Sequence, residues 1–498
     1  MAHSANLAVT QPQAAPLTVA VQSTVEREIK LAVDDQFRLP DLPGTPLPRR
    51  LLTSTYYDTS SHRLAHAGIT LRYRDERGTQ AWQLKLPLMN DRQELEIVDH
   101  HPVPPATFRD LLLLHIGQRR LIPVATLRTW RTGVRVHRDN VPFADVTLDR
   151  VAVVKHGAVI QRFRELEIEQ VNGENFTLRD IERELRRAGA KEHDGRPKLF
   201  RALALPVPGA DGPPGPDAPV VEHLTWALTR HVRWLLAHDP GTRLGREPES
   251  LHQMRVATRQ LRAVLHATKP LLVPEWVDSL QEELTWLSRV LGPTRDLDVQ
   301  LAYFRNEATK LDVRDRQPLV RFVAQLQSQR EHVQERLRSE LKHPRYLALI
   351  RRLRAAAQEP AVVESTVTLR DLATREFKKL CKAIRRMGAS PSNATVHEIR
   401  IKTKQARYTA ELAEPTVGKP ATRFIKQARV VQDVLGMHQD AIQAEAHVRA
   451  FLSHSTSVRA GFVAGRMVER QRERRAQARK KMRKLWKRLL KRGTQAWG

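Results

Sequence analysis

Two periods divide the chain. Up to about residue 170, apolar and charged residues alternate in twos, the mark of strands whose successive side chains point to opposite faces. In VEREIKL, Glu26, Glu28 and Lys30 share a face opposite Val25, Ile29 and Leu31. Arg72 and Arg74 oppose Leu71 and Tyr73, and Gln83 and Lys85 oppose Trp82 and Leu84. Glu94 and Glu96 oppose Leu95 and Ile97, Arg131 and Arg135 oppose Val134 and Val136, and Thr147 and Asp149 oppose Val146 and Leu148. The seventh strand sets Glu165, Glu167 and Glu169 against Leu166 and Ile168. From about residue 220 apolar residues recur every three or four positions, which predicts helices. Between the two lies PVPGADGPPGPDAP, Pro206–Pro219, where proline lacks the N–H and fixes φ, so neither helix nor central strand can form. The pattern predicts a flexible N-terminus over 1–22, a strand domain over 23–205 and a linker over 206–220. A helical domain over 221–465 and a basic helix or tail over 466–498 follow.

The polar faces of the strands are unusual. They are nearly pure Glu, Arg and Lys, with few of the Ser, Thr and Gln expected of a face in water. A barrel of about eight strands is just wide enough to hold a small ligand. With the charged faces inward, its lumen offers Arg and Lys to phosphates and Glu to a hard divalent cation. The predicted fold class is therefore α+β and multidomain, an eight-stranded antiparallel barrel followed by an all-α domain.

The helical half repeats itself. His252, Arg255, Arg259 and Arg262 recur as His397, Arg400, Lys404 and Arg407 with the same spacing, 145 residues on. VLGPTRD at Val290–Asp296 is echoed by VLGMHQD at Val434–Asp440. A constant offset of this kind means two related helical bundles, about 221–345 and 366–465. Offsets of 0, 3, 7 and 10 form one stripe on a helix. A single cationic stripe is usually just a solvated face; the same stripe in both repeats predicts an anion groove.

Charge sharpens this picture. Of 498 residues, 84 are Lys or Arg and 55 Asp or Glu, a net charge of +29. Residues 1–219 hold 30 basic and 27 acidic side chains, whereas 220–498 hold 54 and 28, so nearly all the excess lies in the helical half. Such an excess predicts a polyanionic partner. No zinc finger, RRM or other readout motif is present, so specific nucleic-acid binding is not expected. A single cysteine, Cys381, excludes a disulfide framework or a cysteine-based zinc site. Apolar runs fall short of the ~20 residues that span a bilayer. The first twenty residues lack the basic start and apolar core of a secretory leader, so a cytoplasmic location is expected.

VEREIKL resembles the E-x-E-x-K signature that opens the CYTH domain, the triphosphate tunnel metalloenzyme superfamily. YYDT at Tyr56–Thr59, the Leu64–Arg74 run ending GITLRYR, QLK ending at Lys85, Asp149 and ELEIE fall in that family's order. The resemblance implies an eight-stranded barrel that hydrolyses or cyclises triphosphates with Mg²⁺ or Mn²⁺. It implies Glu26, Glu28, Glu167 and Glu169 as metal ligands, and Lys30, Arg72, Arg74, Lys85, Arg131 and Lys198 as phosphate contacts. Lys30 and Asp149 take catalytic roles, with either Glu94 or Glu96 as the mid-barrel acid and Glu96 favoured. The doubled basic stripe and the L-G-x-x-x-D echo resemble the CHAD domain. That likeness implies binding of inorganic polyphosphate by the eight stripe residues, with polyphosphate granules as a destination. The reading is an inorganic triphosphatase acting on tripolyphosphate or short polyphosphate, joined to a polyphosphate-binding domain. The alternative is a granule-binding protein whose barrel has little activity.

Overall fold

The computed structural model describes residues 21–87, 92–171, 178–206, 212–388, 391–453 and 457–498. Residues 1–20 of the expected N-terminal extension and 207–211 of the expected linker lie outside these. The chain divides into two compact units, Met1–Arg109 with Gln118–Val207, and Asp110–Gly117 with Pro208–Gly498.

The first unit is built on one antiparallel sheet. Its strands are β1 (Gln22–Glu26), β2 (Glu28–Ala32), β3 (Gly44–Asp58), β4 (Thr70–Glu76) and β5 (Thr79–Pro87). There follow β6 (Arg92–Val98), β7 (Ile122–Arg138), β8 (Val141–Lys155), β9 (Ala158–Gln170) and β10 (Lys191–Glu192). Their order is β1-β6-β5-β4-β3-β7-β8-β9-β2-β10. Short helices punctuate the chain: α1 (Arg63–His66), α2 (Ala106–Leu111), α3 (Leu113–Ile116), α4 (Arg179–Arg187) and α5 (Lys198–Ala202).

The expected closed barrel of eight strands is corrected here to a ten-stranded sheet with an open ladder. The cause sits in VEREIKL. Read as one strand, it breaks at Arg27 into β1, which pairs with β6, and β2, which pairs with β9. The two-residue β10 adds a further partner to β2. Yet β1 and β2 stand first and ninth in the order while only Arg27 separates them, so the sheet must curl until those two places meet.

Curling follows from the alternation. The apolar faces turn outward and are covered: Leu31, Leu166 and Ile168 are buried in one cluster with Ile181 and Leu185 of α4. Trp82 is buried, with Tyr57 and Tyr73 at ring distances of 4.8 and 5.1 Å. Each such side chain contributes about 1.5–3 kcal/mol by leaving water. The charged faces are left inside. Gly133 keeps β7 close to β8, since a Cβ there would lie 2.3 Å from the Val146 carbonyl oxygen.

The second unit is helical: α6 (Val220–Leu244), α7 (Pro248–Ala267), α8 (Pro274–Ala308), α9 (Val313–Lys342) and α10 (Pro344–Gln358). Then come α11 (Leu369–Arg385), α12 (Asn393–Val417), α13 (Lys419–Ser453) and α14 (Val458–Trp497). The sequence repeat is structural. α7 and α12 carry the two stripes and pack on one another, while α8 and α13 carry the two echoed L-G-x-x-x-D segments. One large core joins both repeats, holding Leu261 of α7, Leu287 of α8, Ile399 of α12 and Leu435 of α13. α14 runs unbroken through position 466 and buries Met482, Trp486 and Leu489 in the same core, so the basic segment is its last four-fifths.

Candidate functional site

Register assembles the site. Across β8, β9 and β2, Thr147 faces Glu167 and Glu167 faces Lys30. Two residues along, Asp145 faces Glu169 and Glu169 faces Glu28; on the other side Asp149 faces Glu165. Across β4, β5 and β6, Thr70 faces Lys85 and Lys85 faces Glu94, while Arg72 faces Gln83 and Gln83 faces Glu96. On β3 and β7, Arg50 stands opposite Arg131, which stands opposite Asp149 on β8. The curled sheet wraps these rows around a cavity of about 270 Å³. Lys30, Arg50, Arg72, Arg74, Lys85, Arg92, Arg131 and Lys198 line it, with Glu28, Glu94, Asp149, Glu167 and Glu169, eight basic side chains to five acidic ones.

One wall is a dense ion cluster. Lys198 opens α5, whose Leu199 and Phe200 pack with Tyr56, Leu127 and Val151, so the ammonium enters from a buried anchor. Its Nζ lies 2.9, 2.6 and 2.8 Å from Asp149 Oδ2, Glu165 Oε1 and Glu167 Oε1. Lys30 Nζ donates to the same Glu167 oxygen at 2.8 Å and lies 3.4 Å from Glu28. Arg131 forks onto Asp149 at 2.8 and 2.6 Å and donates to Glu167 Oε2 at 2.6 Å. Burial alone would depress Lys30 and Lys198, but the carboxylates outweigh it and hold both above the usual lysine value. Burial likewise opposes ionisation of Glu165 and Glu167, yet Lys198 and Lys30 pull Glu165 down to about 2 and Glu167 well below the usual range.

Asp149, Glu165 and Glu167 place carboxylate oxygens within 4.8 Å of one another, a buried triad with the reach to hold a metal ion. The Lys198 ammonium already stands among all three. The neighbouring row differs. Glu28 and Glu169 face each other and line the cavity, and burial pushes Glu169 up, with Glu167 and Glu28 adding to it against Lys85 and Arg131. A carboxylate that resists ionisation for want of counter-charge gains most from a cation. Glu28, Glu169 and Glu167 all line the cavity, and carboxylate oxygens are the donors a hard divalent ion takes.

The opposite wall is cationic. Arg72 Nε donates to Gln83 at 2.7 Å and its Nη1 to the Tyr56 hydroxyl at 3.3 Å, while Lys85 lies 2.8 Å from Glu94. Arg74 is pulled down to about 10 by burial and by Arg72 and Arg131.

The structure thus gathers Glu28, Lys30, Arg72, Arg74, Lys85, Arg131, Asp149, Glu167, Glu169 and Lys198 around one cavity. The side chain of Glu26 lies outside the described residues. Glu96 accepts from the Gln83 amide at 2.6 Å and is not among the lining residues, whereas Glu94 is. The two share a face, and only strand tilt decides which reaches the cavity. Sequence reasoning also passed over Glu165 and Arg50. Glu165 sits on the Glu167 face of the same strand. Arg50 follows a register shift in β3 that erases the two-residue period.

In the helical unit the stripes meet. Arg259 disfavours the charges of Arg400 and Lys404, and its Nε donates to the Tyr408 hydroxyl of the other repeat at 3.0 Å. Burial, then Arg400, Arg259 and Arg407, pull Lys404 down to about 7. Arg255 donates to the Gly292 carbonyl at 2.9 Å and lies 3.7 Å from Asp296, the first echoed aspartate. His252 is half-buried and pushed down by burial and by Arg295. Two members stand apart: His397 is exposed and Arg262 has Arg289 beside it, while Arg407, beside Lys404, is held by Glu411 at 2.7 Å. Arg295 of α8 and Arg474 of α14 act on the same cluster and belong to neither stripe.

A curled sheet with an ionic inner face is thus followed by a duplicated bundle with basic stripes. The chain matches the CYTH domain over residues 24–199 and the CHAD domain over 227–449. It is a CYTH domain followed by a CHAD domain. An uncharacterized protein of Mycobacterium tuberculosis is 28% identical over 439 residues, 80% of this chain and 82% of its own length. PptA from Streptomyces chartreusis is similar at 21% identity and a TM-score of 0.45, over 54% of this chain and 100% of its own. The CHAD domain from the plant Ricinus communis is similar at 24% identity and a TM-score of 0.46, over 55% of this chain and 93% of its own. No helix among the described residues is long and apolar enough to cross a membrane.

Proposed function

We propose that the sheet unit hydrolyses inorganic triphosphate, tripolyphosphate before other chains, and that the helical unit binds inorganic polyphosphate along α7 and α12. The observation that carries this reading is the polarity of one cavity: Glu28, Glu167 and Glu169 on one wall face Arg72, Arg74 and Lys85 on the other. Glu28, Glu169 and Glu167 would hold Mg²⁺ or Mn²⁺. Bound there, a divalent ion neutralises phosphate charge and acidifies a coordinated water. The chain's own residues do the positioning, which is most of what phosphoryl transfer requires. Arg72 and Arg74 offer forked donors to phosphate oxygens and Lys85 a point charge. Lys30, kept charged by Glu167 and Glu28, stabilises charge and cannot serve as a base. Arg131, on Asp149 and Glu167, fixes the carboxylates between the walls.

A second reading has its own observation. Lys198 stands within 2.9 Å of all three acids of the buried triad, which favours a barrel of little activity in a polyphosphate-binding protein. Phosphate release from tripolyphosphate, with divalent metal and with excess chelator, separates the two. Metal-dependent release supports the enzyme. No release from a chain that still retains polyphosphate leaves the binding protein.

A further inference from the structure

Arg50, Arg72 and Arg131 all lie close enough to Arg74 to oppose its charge where β3, β4 and β7 meet. Two of them are committed. Arg131 holds Asp149 and Glu167, and Arg72 donates to Gln83 and Tyr56. The other two share Glu76. Arg50 grips it with Nε and Nη2, the second at 2.5 Å, and the Arg74 Nη2 lies 3.6 Å from the same Oε2. The Arg74 Nε is buried with no hydrogen-bond partner. Arg50 and Arg74 line the cavity, and Glu76 does not. Arg50 is 40% exposed and Glu76 23%, so water reaches the pair.

These facts point one way. Water reaches this forked pair, so Glu76 can be solvated as Arg50 lets it go, and opening it costs far less than breaking a buried pair. A phosphate group offers more oxygens and more charge than a carboxylate, in a geometry that the guanidinium fork matches. Resting on the triphosphate reading above, we propose that Arg50 is a further phosphate-binding residue of this cavity. Glu76 is its resident counter-ion, displaced when a phosphate arrives. Only a ligand long enough to reach Arg50 while its other phosphates lie among Arg72, Arg74 and Lys85 recovers the displaced contact. The pair thereby selects for chain length.

The test is calorimetric titration of the full chain with pyrophosphate and with tripolyphosphate, in chelator so that nothing is hydrolysed. Arg50→Gln should loosen tripolyphosphate about tenfold, the scale of one charge-assisted hydrogen bond. Pyrophosphate should change less than twofold. Glu76→Gln should tighten tripolyphosphate several-fold, and in Arg50→Gln/Glu76→Gln that gain should vanish. Equal losses for both phosphates, or a Glu76→Gln chain that binds no tighter, would overturn the proposal and leave Glu76 as a clamp on β3 and β4. If the unaltered chain binds tripolyphosphate and Arg50→Gln binds it equally, only the Arg50 assignment falls. If the unaltered chain binds neither phosphate, in chelator or with divalent ion restored, the triphosphate reading falls, and this proposal with it.

Discussion

The cavity of the sheet and the stripes of the bundle are both rich in cations, and they treat them oppositely. In the cavity Lys30, Lys198 and Arg131 each hold two or more carboxylates, and all three are held above their ordinary pKa values, the carboxylates outweighing burial. In the stripes Arg255, Arg400 and Lys404 all have Arg259 beside them, with Asp296 and Asp440 as nearby acids, and burial leads in pushing them down. A compensated cluster is rigid and selects by geometry, because a ligand must better an arrangement that already exists. An uncompensated cluster stores repulsion that any dense polyanion relieves, so it selects by charge density. On the function proposed above, one chain would carry a discriminating site and a permissive one.

The largest effect that tests this contrast is on turnover. Glu28→Gln with Glu169→Gln should lower metal-dependent phosphate release from tripolyphosphate by at least ~10²-fold, the scale of a lost electrostatic element at a reacting centre. Retention of long-chain polyphosphate on a filter should be unchanged. A parallel loss of both would mean that the two regions are one site.

Next is the permissive half. Arg259→Glu, Arg400→Glu and Lys404→Glu together should weaken polyphosphate binding by about two orders of magnitude and flatten its salt dependence by about three contacts, by the logic of counterion release. Competition with DNA of equal phosphate content should favour polyphosphate, since no aromatic residue stands among the eight stripe positions to stack a base. DNA winning that competition would reassign the stripes.

Stability separates the regions by pH. Glu165 drops from 4.5 in the unfolded chain to about 2 when folded, so it contributes stability above pH 4.5 that is lost as pH falls toward 2. The raised lysines contribute stability that is complete below about pH 10 and is lost only at higher pH. Lys198→Met leaves three buried carboxylates without that cation and should cost about 3–5 kcal/mol in urea unfolding at neutral pH.

The smallest effect has the opposite sign. The folded chain favours neutral Lys404, so below its unfolded value of 10.5 this residue destabilises progressively until about pH 7. Lys404→Met should raise the Tm of the helical unit by about 2–4 °C at neutral pH, the response to ~1 kcal/mol in a unit of this size. It should also abolish the tightening of polyphosphate binding between pH 8 and 6. Loss of affinity without a gain in Tm would refute stored repulsion.

Much of this was legible beforehand, for physical reasons. Alternation by two marks which side chains share a face, so Glu28, Lys30, Arg72, Arg74, Lys85, Arg131 and Glu167 could be grouped from the sequence. It does not separate two acids on one face, so Glu94 and Glu96 stayed open, and it is Glu94 that lines the cavity. Nor does it survive irregularity: the register shift between Leu47 and Arg50 hid Arg50. The repeat showed two equivalent stripes, but sequence cannot say that α7 and α12 pack together and merge part of them. Arg295 and Arg474 come from other helices and carried no periodic signal. The count of strands failed at Arg27, where one segment serves two partners.

That same break at Arg27 governs when the sheet unit can exist. β1 pairs with residues 92–96 and β2 with residues 165–169, so the first strand to leave the ribosome needs partners made about 70 and 140 residues later. Loop closure over such distances is paid before any contact rewards it, which makes folding slow. The charged face of VEREIKL stays in water throughout that wait, and its alternate charges deter pairing with a neighbouring chain. At ~5–20 residues per second, β2 waits about 7–28 s for β9 to be synthesised, so the sheet closes after most of its length is made, with its N-terminal strand as one of the last pieces to dock.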